Sequence, residues 1–414
     1  MNFTFLHAAD LHLGSPFQGL ALRDENIAMR FAGASRAAFE ELIDRALAEK
    51  IAFAIFAGDI FDGEWRDAAI ALFFNRQIGR LANAGIPSYL LKGNHDADSV
   101  VTKSLSLPDL ARQFPTAKPG SFEIADLRVA LHGRGFAQRA ASDNYALAYP
   151  EARPGWFNIG VLHSSLDGRP GHAAYAPCSV SDLCAKNYDY WALGHVHAYE
   201  EVSHAPWIVY PGNLQGRSIR ETGAKGAVFV DVADGLVAQV RRIVTDKARF
   251  GQIVVDASHF DENLALLREI ETQARDLASE AEGRLLALRV KLTGAAPLHG
   301  ALAADPQFWR DEIEAAAQRG GEDIWLEKLV AATLPAATAS SGLDFDFAAQ
   351  LDECLVDAAL REQAIAALAQ IESKFGSALL RDDIDALLTE ARDMALARAQ
   401  GDGRTSEDAA GGRR

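Results

Sequence analysis

Seven residues of metal-binding type lie in the first half of the chain, and each follows an apolar run. Asp10 and His12 follow the run that begins at Phe3, Asp59 follows Ile51 to Ala57, and Asn94 follows Ser88 to Leu91. His163 follows Asn158 to Leu162, and His195 and His197 follow Tyr190 to Leu193. Side chains at i and i+2 of an extended chain point to one side, so Asp10 and His12 are expected to offer a hard oxygen and a borderline nitrogen together. A buried carboxylate facing no cation would be costly. Seven ligands exceed what one tetrahedral ion takes and suit two ions sharing a bridge. Asp59, with two carboxylate oxygens, is the natural bridge. Asn94 is a weak neutral ligand that makes sense within a larger set around a hard ion such as Mn²⁺, although Fe²⁺, Zn²⁺ and Mg²⁺ also suit the set. Two ions about 4 Å apart are a device for attack on phosphate esters.

Three further residues sit beside these ligands. His95 adjoins Asn94 and as an imidazolium would protonate a leaving oxygen or stabilise the transition state. Asp96 is expected to orient His95 as carboxylates orient imidazoles elsewhere. Asp62, three residues after Asp59, is expected to support the site without ligating. Arg217, Arg220 and Lys225 lie in a glycine-rich stretch after another apolar run and are candidates for phosphate contact, or for a solvated turn. His7 follows strand alternation and reads as structural. His132, His172, His204, His259 and His299 have no partner pattern.

The elements that must position these residues are legible as punctuation. Apolar runs at 3–9, 51–57 and 88–91 alternate with helical spacing over about 24–50 and 67–83, a β-α-β-α-β pattern with polar residues at each strand's carboxyl end. Short strands follow at 122–124, 128–131, 158–162, 190–193 and 208–210, with a closing hairpin at 226–230 and 237–244. They are expected to form a second sheet facing the first, with helices outside. A boundary falls near 245–251. A strand at 252–255, a charged helix at 261–281 and a strand at 285–292 make one small β-α-β unit. The chain then reads as helical from about 308, with a small-residue linker at 331–341 and helices over 345–375 and 382–399. Residues 401–414 are expected to be a disordered tail.

Composition narrows the function classes. The 414 residues exceed one core. No apolar run approaches the ~20 residues that span a bilayer, and no secretory signal is evident. Three cysteines, Cys178, Cys184 and Cys354, are too few for a disulfide framework and point to a reducing, cytoplasmic setting. The net charge of −16 is the wrong sign for bulk attraction to nucleic acid, so any affinity for DNA must be local, metal-assisted or supplied by a partner.

Taken in order, these residues resemble the calcineurin-like metallophosphoesterase superfamily. Its motifs Asp-x-His, Gly-Asp-x-x-Asp, Gly-Asn-His-Asp, a lone His, and Gly-His-x-His match Asp10 to His12, Gly58 to Asp62, Gly93 to Asp96, His163, and Gly194 to His197. The wording around Asp10, Asp59 and Asn94 is similar to SbcD-type DNA repair exonucleases, and the stretch Tyr210 to Gly226 to their YhaO-like branch. The resemblance implies an α/β fold, a four-layer αββα sandwich over residues 1–245, with a small β-α-β capping domain over 250–335 and a helical C-terminal region over 342–400. It implies one ion held by Asp10, His12, Asp59 and His197, a second held by Asp59, Asn94, His163 and His195, and His95 as the catalytic histidine. It further implies a Mn-dependent DNA exonuclease or endonuclease working in DNA repair with an SbcC-like coiled-coil ATPase, to which the C-terminal helices would dock, and a homodimer. Leu351, Leu355, Ala359, Ile365, Leu368 and Ile371 would supply an apolar stripe for that docking, or pack within their own domain. Other functions open to this chain are a small-molecule phosphodiesterase, a protein phosphatase and a non-catalytic scaffold.

Overall fold

The computed structural model describes residues 1–15, 25–62, 68–98, 106–166, 175–336, 345–375, 387–389, 391–392 and 394–396. The chain divides into two compact units, Met1–Gly251 with Ala281–Ala287, and Gln252–Glu280 with Leu288–Arg414.

In the first unit β1 (Phe3–Ala8), α1 (Glu25–Glu49), β2 (Phe53–Ala57), α2 (Ala68–Asn83), β3 (Ser88–Leu91) and the short α3 (Asn94–Asp98) follow in order. Next come β4 (Ala111–Gln113), β5 (Gly120–Ile124), β6 (Val129–Gly133), β7 (Phe157–His163), β8 (Tyr190–Gly194), β9 (Glu200–His204), β10 (Trp207–Tyr210), β11 (Gly226–Ala233) and β12 (Leu236–Val244). Two six-stranded sheets result, ordered β12-β11-β1-β2-β3-β4 and β5-β6-β7-β8-β10-β9.

Period-two alternation assigns the faces. Phe3, Phe5, Phe53, Ile55 and Ala57 turn toward the second sheet and pack with Val129, Leu131, Ile159, Val161, Tyr190 and Ala192. Leu6, Ala8, Ala54 and Phe56 turn the other way and pack under α1 and α2 against Phe39, Leu42, Phe74 and Ile78. The outer face of the second sheet carries Leu162, Trp191, Leu193, Ile208 and Tyr210, covered by loop residues Phe136, Tyr145 and Tyr149 and by the short helix Val180–Cys184. The order of layers is therefore the expected αββα, with the second outer layer thin among the described residues. His7 is buried between the sheets, its ring bonded to Tyr190 Oη at 2.9 Å and the Leu193 carbonyl at 2.9 Å, a structural role.

β1, β2 and β3 are parallel, as are β6, β7 and β8. Each of these strands can therefore deliver the residue after its carboxyl end to the same edge of its sheet.

The second unit holds most of a three-stranded sheet ordered β13-β14-β15, from Ala248–Asp256, Leu285–Ala296 and Ile324–Pro335. Helices Asn263–Glu280 and Pro306–Gly320 bury Leu266, Ile270 and Ala274 and Trp309, Ile313 and Ala317. This corrects the sequence expectation of continuous helix from about 308 and a linker beginning at 331: the chain turns into β15 at Ile324 and stays extended to Pro335. Helices Phe345–Val356 and Ala358–Phe375 follow. On them Leu351 and Leu355 are half-buried while Ala359 and Ile365 are exposed; nothing is described of the side chains of Leu368 and Ile371. Most of 382–399 and all of 401–414 lie outside the described residues. No described helix is long and apolar enough to cross a membrane.

Candidate metal centre

The loops after β1 and β2 run side by side. Asp10 N–H donates to the Gly58 carbonyl at 3.0 Å, His12 N–H to the Asp59 carbonyl at 3.0 Å and Leu13 N–H to the Ile60 carbonyl at 2.9 Å. Their backbone is not extended: Asp10, His12 and Asp59 have φ of 51°, 42° and 53°. Strand alternation is thus not what brings Asp10 and His12 together, contrary to the sequence reasoning. Left-handed turns aim both inward, a conformation costing about 1–3 kcal/mol per non-glycine residue that persists where surrounding contacts enforce it.

Asp10, His12, Asp59, Asn94, His163 and His195 are buried, and His197 is half-buried. Ligand atoms of Asp10, His12 and His197 lie within 4.8 Å of one another, as do those of Asp59, His163 and His195. His12 Nε2 faces His197 Nε2 at 3.3 Å, and Asp59 Oδ2 stands 3.8 Å from His12 Nε2 and 3.3 Å from His163 Nε2. Asn94 Oδ1 is 3.1 Å from His163 Nε2. Asp59 therefore borders both groups. His163 Nδ1 donates to the Ala57 carbonyl at 2.9 Å and His197 Nδ1 to Glu221 Oε1 at 2.7 Å, each fixing the tautomer that leaves Nε2 turned inward. His12 Nδ1 is buried without a hydrogen-bond partner among the described residues. The donor set, two carboxylates, an amide oxygen and four imidazoles gathered in two adjoining groups, fits two divalent ions.

Electrostatics point the same way. Burial pushes the Asp10 carboxyl up, while Asp59 is held well below its usual range because His163 and His12 outweigh the cost of its burial. Burial disfavours charge on His163, yet Asp59 and Asp10 raise it to about 9. The two carboxylates thus draw positive charge into the cluster.

Glycine gives this cluster its compactness. A Cβ at Gly93 would lie 2.1 Å from Asp59 Oδ1 and 2.5 Å from Asp59 N, and one at Gly58, where φ is +99°, would lie 2.4 Å from His163 Nδ1.

The flanking residues sort differently from expectation. The carboxylate against His95 is that of Asp62, with Oδ1 2.7 Å from His95 Nδ1. This hydrogen bond leads the influences that raise the His95 pKa. Asp96 instead accepts from the amides of Ile60 at 3.2 Å, Phe61 at 2.9 Å and Gly93 at 3.0 Å, clamping two ligand-bearing loops together. Lys225 is buried, and its ammonium donates to the His197 carbonyl at 2.9 Å, which removes it from the phosphate-contact set. Arg220 is exposed. Arg217 lies at the mouth, with Nη1 3.6 Å from Asp62 Oδ2. Glu221 was missed: a lone glutamate in a Gly-, Ser- and Arg-rich turn gives no signal except its i+4 spacing from Arg217.

Residues 3–199 match the family Calcineurin-like phosphoesterase, and residues 250–334 match the family Metallophosphoesterase YhaO, middle domain. The chain is 35% identical over 304 residues to the uncharacterized metallophosphoesterase YhaO of Bacillus subtilis (strain 168), covering 72% of this chain and 73% of that one. The chain belongs to the calcineurin-like phosphoesterases, in the YhaO-like family. More distant is the DNA double-strand break repair protein Mre11 of Sulfurisphaera tokodaii, 24% identical over 281 residues, 64% of this chain and 68% of that one. The protein of the same description from Thermoplasma acidophilum is 26% identical over 317 residues, 71% of this chain and 75% of that one. The YhaO-like chain is thus a dinuclear-metal phosphoesterase, a hydrolase of phosphoester bonds, with its ligand clusters at the carboxyl ends of β1, β2, β3, β7 and β8.

Proposed function

We propose that this phosphoesterase is a Mn²⁺-dependent DNA nuclease, exonucleolytic or endonucleolytic, working in the cytoplasm in DNA repair with an SbcC-like coiled-coil ATPase. The observation that carries the reading is the complete dinuclear ligand set in a chain similar to two proteins named for DNA double-strand break repair. The net charge of −16 fits a nuclease that meets DNA through bound cations and a partner. Residues 250–335 act as a cap, and the helices after Phe345 dock the ATPase through side chains such as the exposed Ile365.

Asp10, His12, Asp59 and His197 would hold one ion, and Asp59, Asn94, His163 and His195 the other. Bound there, two divalent ions supply Lewis acidity and neutralise phosphate charge. The chain's own groups do the rest. His95, held as an imidazolium by Asp62, donates a proton to the leaving oxygen. Its backbone N–H, bonded to Asp59 Oδ1 at 2.9 Å, fixes the bridge relative to the acid. The Arg217 guanidinium contacts a non-bridging phosphate oxygen at the mouth.

The test is cleavage of single- and double-stranded DNA with Mn²⁺ by the parent chain and by Asp59→Ala and His95→Ala. Cleavage by the parent alone is expected. Cleavage that persists in both variants would sink the mechanism, and strong activity on cyclic nucleotides or phosphopeptides with none on DNA would replace the proposed substrate.

A further inference from the structure

Residues 211–225, between β10 and β11, lie along the stretch that carries His197. Asn213 N–H donates to the His197 carbonyl at 3.3 Å, and Lys225 Nζ donates to the same carbonyl at 2.9 Å. Within this loop the Glu221 carboxylate accepts four hydrogen bonds. Oε2 takes Arg217 N–H at 2.7 Å and Asn213 Nδ2 at 2.9 Å. Oε1 takes His197 Nδ1 at 2.7 Å and Arg217 Nη2 at 3.0 Å. The two bonds to Oε2 stay within the turn. Oε1 is committed to a metal-ligating imidazole and to the guanidinium beside Asp62 and His95.

The shared acceptor resolves a conflict. Arg217 Nη2 is 3.3 Å from His197 Nδ1. Guanidinium nitrogens are donors only, so while Nδ1 carries a hydrogen the two groups are both donors, and Oε1 between them accepts from each. Without that acceptor, Arg217 is placed to donate to Nδ1 instead. The imidazole hydrogen would then move to Nε2, the atom that faces His12 Nε2. An Nε2 bearing hydrogen cannot ligate.

We propose that Glu221 is a positioning residue that selects the metal-binding tautomer of His197 and, through the same oxygen, holds Arg217 at the mouth of the site. The inference rests on the ligand division given above. It assigns Glu221 to one ion only, because its hydrogen bonds reach His197 and not the Asn94, His163 and His195 group.

Titration with Mn²⁺ alone, read by equilibrium dialysis and by the exchange-coupled EPR signal of a dinuclear centre, tests it. The parent is expected to bind two ions. Glu221→Ala is expected to lose the coupled signal and to weaken one ion by about 10–100-fold, the range for removing a carboxylate behind a metal-bound histidine, while the other stays within about 2-fold. Glu221→Gln keeps an oxygen acceptor for Nδ1 and is expected to lose less than about 10-fold. The double variant Glu221→Ala/Arg217→Ala removes the competing donor and is expected to recover part of the lost affinity. Unchanged binding of both ions in Glu221→Ala, or equal weakening of both, would overturn the assignment. A double variant no better than Glu221→Ala would overturn the tautomer account. If Glu221→Ala does not fold, Glu221→Met, which fills the space but offers no oxygen acceptor, carries the comparison, with selective weakening of one ion supporting the proposal and unchanged or uniform binding refuting it. A parent chain binding fewer than two ions would instead overturn the ligand division itself, and the inference with it.

Discussion

Replacing Gly93 by alanine inserts one methyl group against the residue shared by both ligand clusters. The new Cβ would lie 2.1 Å from Asp59 Oδ1, 2.5 Å from Asp59 N and 2.8 Å from Asp59 Cγ, whereas real Cβ contacts essentially never fall below 3.0 Å. Oδ1 must therefore retreat by about 1 Å, and it cannot do so freely because His95 N–H donates to it at 2.9 Å. Losing that charged hydrogen bond costs about 1.5–3 kcal/mol, and overpacking of a tight site about 1–3 kcal/mol more. Gly93→Ala is accordingly expected to lower the unfolding free energy by about 2.5–6 kcal/mol and to weaken both ions together. Gly79→Ala is the matched control, since its Cβ would meet nothing within 4 Å on helix α2, and alanine there is expected to gain up to about 1 kcal/mol. Urea unfolding with and without Mn²⁺ reads both. A Gly93→Ala chain within about 1 kcal/mol of the parent, still binding two ions, would refute the packing argument.

Two pH effects follow from single buried or half-buried groups. Asp62 raises the His95 pKa through a 2.7 Å ion pair, so activity that needs the imidazolium should fall as pH rises through that raised value. Asp62→Asn exchanges a charge-assisted bond for a neutral one about half as strong. This should move the alkaline limb of the pH–rate profile to lower pH, and an unmoved limb would show that Asp62 does not control His95. His7 is lowered by burial from 6.5 to about 3. Its contribution to stability is present above pH 6.5 and is lost as pH falls toward 3, about 2 kcal/mol of it by pH 5. His7→Gln should flatten the dependence of unfolding free energy on pH between 6.5 and 5, and a slope equal to the parent's would contradict the burial argument.

The site was legible because its residues are few in kind and tied to strand ends. Asp10, Asp59, Asn94, His163 and His195 each follow an apolar run, and parallel order then sends them to one edge. The local reason offered for Asp10 and His12 was wrong even though their proximity was right, because positive φ angles arise from pairing with the Gly58–Ile60 loop, which sequence spacing does not encode. Asp62 and Asp96 exchanged roles for a related reason. Both are carboxylates near His95, and only tertiary geometry shows that Asp96 faces three backbone amides. β15 was missed because Ala331 and Ala332 read as linker or helix, and its exposed outer residues weaken the alternation that marks a half-buried strand. Lys225 looked like a phosphate contact by charge alone, and burial against the His197 carbonyl reverses that.

The division of seven ligands into two sets sharing Asp59 is tested most directly by counting ions. Elemental analysis after Mn²⁺ loading and dialysis should give about two per chain for the parent, about one for Asp10→Ala, about one for His163→Ala and none for Asp59→Ala, with each variant folded by circular dichroism. A folded Asp10→Ala chain emptied of both ions, or a folded Asp59→Ala chain that keeps two, would contradict the account.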